Sequence, residues 1–186
     1  PITGQSYPSG CLPSADLLAE DDGTVYPQLG DSALGLGWRA AIGTPRTVNF
    51  LDLFSSGTPR EVYATAWVRS PAERVGRLRI GHDDGARIWL DDQLLGEDPT
   101  CHGATADAFS YDVTLHEGWN RLLVKVRDNG GGWGLVARFT DMASQPMQDL
   151  ELSPSGPSTW TDDQTDTDND GVGDACDPDP SNPGRR

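Results

Sequence analysis

The twelve residues 166–177, DTDNDGVGDACD, carry aspartate at positions 1, 3, 5, 9 and 12 of the run: Asp166, Asp168, Asp170, Asp174 and Asp177. Gly171 and Val172 take positions 6 and 7. A calcium loop of this length draws side-chain oxygens from positions 1, 3, 5 and 12, a backbone carbonyl from 7 and a water-mediated contact from 9, around a glycine at 6. The run fits that scheme, with Asp177 where glutamate is usual. Carboxylates gathered without an ion would repel one another, so the spacing predicts a loop that is open when empty and compact around Ca2+.

The longer stretch DDQTDTDNDGVGDACDPDP, residues 162–180, resembles a thrombospondin type 3 repeat, an extracellular calcium module without flanking helices. The resemblance implies that Asp166, Asp168, Asp170, Asp174 and Asp177 are ligands together with the Val172 carbonyl. It also implies that Asp162, Asp163 and Asp179 are outer ligands able to hold a second ion. Repeats of that family come in tandem with cysteines paired between them. Here there is one, so Cys176 lacks its usual partner.

Other chemistry is sparse. The chain has no nucleophile elbow, zinc-protease helix motif, phosphate loop or dinucleotide fingerprint. His82, His102 and His116 sit near expected turns without metal-ligand spacing, and Cys101 beside His102 is adjacency rather than catalytic geometry. The expectation is a protein that is not an enzyme. The Asp83–Asp84 pair reads first as a turn between strands. Trp38, Trp89, Trp133 and Trp160 are candidates for stacking on sugar rings, with Trp89 and Trp133 the leading pair. The alternation of WGLVARF equally allows Trp119 and Trp133 to be core or loop-plug residues.

With 186 residues and a net charge of −15, the chain fits one domain plus a tail. The acidity does not come from the tail alone, since residues 1–161 still carry about −9. That argues against nucleic acid as a partner. No apolar run approaches the ~20 residues of a membrane helix, so no membrane span is expected. The chain opens at Pro1 without methionine, which reads as a mature, processed or naturally isolated chain. A calcium loop of modest affinity suits the millimolar calcium outside cells, where disulfides are also permitted. The expected location is extracellular or at the cell surface. Three cysteines leave one over; Cys11 with Cys101 is the favoured pair, with Cys176 free or pairing between chains.

The elements that must position these residues read as strands. Alternating apolar and polar residues run through EVYATAWVR (61–69), RLRI (77–80), ARIWL (86–90), FSYDVTL (109–115), NRLLVKV (120–126) and WGLVARF (133–139), with LDDQLL as a tight hairpin. Turns every eight to twelve residues predict an all-β antiparallel sandwich over residues 1–152, its first 45 residues irregular. The stretch SADLLAEDD (14–22) is the one candidate for a short helix. SPSGPSTWT (153–161) is a linker of Pro, Ser and Gly, and 162–186 is the irregular calcium-binding tail.

Residues 48–140, through YATAWVRSPAERVGRLRIGHDDGARIWLDDQLLGED and LHEGWNRLLVKVRDNGGGWGLVARF, resemble jelly-roll modules appended to bacterial extracellular enzymes. These are similar to the sugar-binding domain of glycoside hydrolase family 2 and to galactose-binding-like domains. DDG…IWLDD also resembles the anthrax-protective-antigen-like domain. In some adhesins of that kind an Asp-Asp pair holds a calcium that contacts sugar, and Asp83 with Asp84 is the matching pair.

If aliphatic residues face the core, the opposite face carries Trp67, Arg69, Arg77, Arg79, Arg87, Trp89, Lys125, Arg127 and Arg138. Two functions follow. The first is a non-catalytic structural subunit, a homo-oligomer that assembles head to tail into a filament or array as its calcium-stiffened tail docks on this basic face of the next copy. The alternative is a carbohydrate-binding or adhesion module for a polysaccharide.

Overall fold

The computed structural model describes residues 10–14, 32–33, 36–40, 47–54, 60–91 and 93–156. The candidate helix, the 162–186 tail with all its proposed calcium ligands, Cys176 and Trp160 lie outside the described residues, apart from Ser14 at the start of the helix candidate.

Two antiparallel sheets face one another. The first is built from β3 (Val48–Asn49), β5 (Arg74–Asp83), β8 (Phe109–Leu115) and β10 (Gly134–Thr140) in the order β3-β10-β5-β8. The second contains β4 (Arg60–Ser70), β6 (Ala86–Leu90), β7 (Gln93–Asp98), β9 (Gly118–Asp128) and β11 (Glu151–Ser153) in the order β11-β4-β9-β6-β7. Two further short strands, β1 (Ser32–Ala33) and β2 (Leu36–Gly37), pair with each other. The molecule is an all-β sandwich, and no α-helix occurs among the described residues.

The alternation seen in the sequence sorts the core. Val62 and Val68 of β4, Ile88 and Leu90 of β6 and Leu122, Val124 and Val126 of β9 meet Leu78 and Ile80 of β5, Val113 and Leu115 of β8 and Leu135 and Phe139 of β10. Each such side chain removed from water contributes about 1.5–3 kcal/mol before entropy is counted. The long β4–β9 ladder pairs Arg60 with Asp128 at one end and Ser70 with Gly118 at the other. It therefore delivers the carboxyl end of β9 to the same edge of the sandwich as the amino end of β4.

The expected single outward basic face does not exist. Trp67, Trp89 and Lys125 have no exposed surface, and Arg127 is buried as well. Alternation identifies which side chains share a face; it does not say whether that face meets water. Residues 11–14 lie over this face of the second sheet. Ser14 donates from its amide and hydroxyl to the Glu61 carboxylate and accepts from Lys125 Nζ at 3.0 Å, and Arg127 donates to the Leu12 carbonyl at 3.0 Å. Glu61 and Lys125, 3.8 Å apart and fully buried, form an ion pair beneath that cover. Arg87 pairs with Glu97 and Arg69 with Glu151. Arg77, Arg79 and Arg138 belong to the other sheet, where they bind Asp112, Ser144 and Asp107. The named residues are thus split between two sheets, and four of them are enclosed.

Candidate functional site

One end of the sandwich collects the carboxylates. β5 ends at Asp83, and after Asp84 and Gly85 the chain turns into β6. The Asp83–Asp84 peptide is cis. The turn is pinned by β9: the Asp84 amide donates to the Arg127 carbonyl at 2.8 Å, and the Arg127 amide donates to the Gly85 carbonyl at 2.9 Å. Position 85 must be glycine because a Cβ there would run into the backbone carbonyl of Cys11. Cys11 is joined to Cys101 by a disulfide, and its amide donates to the Pro99 carbonyl at 2.9 Å. Residues 11–14 and the segment that follows β7 are therefore stapled together beside this turn.

The loop 129–132 after β9 lies exposed next to the same carboxylates. Asn129 donates its amide to Asp84 Oδ2 at 2.7 Å. Gly130 donates to Asp128 Oδ1 at 2.7 Å, while Asp128 Oδ2 takes the Arg60 guanidinium at 2.8 Å. Gly130 and Gly131 have φ of 120° and 96°, conformations that glycine adopts without a Cβ penalty. Gly132 is glycine for a different reason, since Asp83 Oδ2 occupies the space its Cβ would need. Burial raises the pKa of Asp83, and the neighbouring charges of Asp84 and Asp128 add to this, opposed by the Ala104 amide and by His102. Anionic oxygen is thus concentrated beside a glycine loop open to solvent, an arrangement suited to a hard divalent cation.

The tryptophans do not serve as expected. Trp133 follows the glycine run but is 2 % exposed; its ring packs against Phe50 at 5.3 Å and Phe54 at 5.7 Å, and the Arg60 guanidinium lies 4.2 Å from its centroid. Trp133 is a core plug, which the alternation of its strand had allowed, and Trp89 is fully buried on the second sheet. Neither ring is presented to a ligand. Trp38 is half-buried and packs against Tyr63, their ring centroids 6.4 Å apart.

Sequence reading also passed over a second group. His82, Asp98 and His102 bring one ligand atom each to within 4.8 Å of one another. His82 is the penultimate residue of β5, Asp98 ends β7 in the opposite sheet, and His102 lies four residues further on. Only the tertiary fold joins His82 to the pair; the Asp98–His102 spacing was the one local signal. Burial lowers the pKa of His82 despite the Asp84 carbonyl and Asp98. For His102 burial works against the imidazolium, yet the hydrogen bond to Asp98 and the Gly103 carbonyl raise its pKa. Burial alone would raise Asp98, but hydrogen bonds from Thr100 and His102 outweigh it and its pKa falls. Cys11, Asp84 and Cys101 also cluster, but both sulfurs are committed to the disulfide.

No family model matches this chain, and neither the curated proteins nor the solved structures contain one significantly similar to it. No helix among the described residues is long and apolar enough to cross a membrane.

Proposed function

We propose that this sandwich is a non-catalytic, extracellular, calcium-dependent carbohydrate-binding module, with the ion held by Asp83 and Asp84. The observation that supports it is the convergence of those two carboxylates on the exposed loop 129–132, where the absence of a Cβ at Gly132 leaves room for the Asp83 carboxylate. Calcium takes six to eight oxygens. Asp83 and Asp84 supply charge, the exposed loop supplies carbonyl and amide oxygens, and solvent fills the remainder. Neighbouring sugar hydroxyls would replace that solvent, which ties saccharide binding to calcium. Asp128 keeps the loop in position through Gly130 and is itself neutralised by Arg60. Kinship with jelly-roll modules of bacterial secreted proteins belongs to the same reading. So does a second, independent calcium site in the tail, formed by Asp166, Asp168, Asp170, Val172, Asp174 and Asp177.

The test is a glycan array and calcium calorimetry on the full chain, with Asp83→Asn and Asp84→Asn variants. Glycan binding should require millimolar calcium and vanish in both variants, while the calcium heat of the tail remains. Binding that persists in chelator, or in both variants, removes the proposal.

The head-to-tail structural subunit is a second reading. Its support is now confined to the first sheet, where Arg79 and Arg138 are cross-strand partners and Arg77 shares their outward face. Three arginines on one face are a dock for an acidic tail, although each already has a polar partner of its own. Light scattering with chelator, and after deletion of residues 154–186, tests it. Particles whose size ignores both treatments would rule the assembly out.

A further inference from the structure

We infer that His82, Asp98 and His102 form a binding site for a borderline divalent transition metal of the zinc class, separate from the carboxylate site. The three ligand atoms are His82 Nε2, His102 Nε2 and Asp98 Oδ2. His102 Nε2 lies 2.7 Å and His82 Nε2 3.9 Å from that oxygen. Ligands bound tetrahedrally to zinc at about 2.0–2.1 Å stand roughly 3.3 Å apart. Both measured separations lie within about 0.6 Å of that spacing, one short and one long. Small side-chain rotations seat the ion.

The orientation of the ligands points the same way. Each histidine has its Nδ1 against a backbone carbonyl, His82 on Asp84 at 2.7 Å and His102 on Gly103 at 3.2 Å. That contact fixes the ring so that Nε2 faces the shared oxygen, as it does in metal-bound histidines generally. Asp98 is held likewise: its Oδ1 accepts from the Thr100 amide at 2.9 Å and hydroxyl at 2.6 Å, which leaves Oδ2 for the two rings. Phe109 stacks on His82 at 4.7 Å and on His102 at 5.6 Å, walling one side.

A satisfied polar cluster would explain all of this except one atom. His82 has no exposed surface, and its Nε2 is buried without a hydrogen-bond partner. An orphaned imidazole nitrogen aimed at a carboxylate oxygen is costly in a core and is what a metal would satisfy. Two nitrogens and one oxygen suit zinc better than calcium, which takes oxygen alone. His102 is partly exposed, so a fourth position is open to water at the surface.

The experiment uses the full chain carrying Cys176→Ser, stripped with chelator and titrated with Zn2+ against a competing indicator. Cobalt(II) replaces zinc in a parallel sample read by visible absorption. One equivalent of zinc should bind, and His102→Ala, at a partly exposed position, should weaken it by more than about a hundredfold. Cobalt should give the intense visible bands of a four-coordinate site with nitrogen ligands, and these should disappear in His102→Ala. Asp83→Asn should retain one equivalent of zinc and the cobalt bands, and His102→Ala should retain glycan binding that requires calcium, each shifted only by loss of the Asp83–His102 attraction, so either site can fail alone. A folded protein that takes up no zinc, or a His102→Ala variant that binds zinc and cobalt as the parent does, overturns the inference.

Discussion

Replacing Gly132 by alanine separates the proposed calcium site from the fold. A Cβ at position 132 would fall well inside the 3.0 Å that real Cβ atoms keep from Asp83 Oδ2, so the carboxylate must retreat by more than half an ångström. The obstructing atom is the end of a side chain rather than backbone, and Gly132 has no positive φ to protect. The backbone therefore tolerates the change, and fewer conformations in the unfolded chain favour the variant by about 0.4–1 kcal/mol. Calcium tolerates little of the same displacement, because its oxygens lie within a range of about 0.3 Å. The expected result is a melting temperature unchanged or slightly raised, with calcium affinity at Asp83 and Asp84 lowered about tenfold to a hundredfold. Gly131→Ala is the control. Its φ is 96° and its Cβ would meet nothing within 4 Å, so it should cost about 1–2 kcal/mol of stability and spare the carboxylate. Calorimetry and thermal unfolding on both variants decide the matter. If Gly132→Ala binds calcium like the parent, the Asp83 carboxylate is not a ligand and the reasoning fails.

Three other outcomes are expected. Cys11→Ser with Cys101→Ser opens a crosslink spanning 90 residues; by loop entropy it should cost about 4–5 kcal/mol, lowering the melting temperature by roughly 8–20 °C, and an unchanged melt would mean the bridge does not constrain the unfolded chain. Trp133→Ala should cost about 3–5 kcal/mol, because the ring packs on Phe50, Phe54 and Arg60; a ring that served only as a sugar platform would leave denaturant unfolding unmoved. Hydrogen bonds from Arg74 lower the pKa of exposed Asp149 below 3.8, so the pair stabilises the fold above that pH and loses its effect as pH falls through the lowered value. Arg74→Gln should accordingly flatten the acid limb of a stability profile, and superimposable profiles would remove the pair from the account.

The strands were legible because each sheet turns one aliphatic face to the common core, so aliphatic residues recur at every second position whether or not the other face meets water. The runs at 61–69, 86–90 and 109–115 accordingly fall within or match β4, β6 and β8. What alternation could not reveal is what lies over the other face. Lys125 looked like a solvated cation because Ser14, whose carbonyl it bonds, is 111 residues away in the chain. Trp133 looked like a loop tip because three glycines precede it, although its strand rhythm already allowed it inside. The carboxylate pair at 83–84 was visible as a pair, but its partners on β9 and the loop after it were not. The same holds for His82 and Asp98, which belong to opposite sheets and have no spacing a linear motif could capture.

Glu61 and Lys125 have no exposed surface, and Ser14 bonds to both of them. The short amino-terminal strap is therefore a keystone rather than packaging. Cutting it away is equivalent to a deep mutation, since an ammonium and a carboxylate would lose the groups that complete their bonding. Any recombinant version trimmed to begin at β4 should aggregate or seek another chain to roof that sheet.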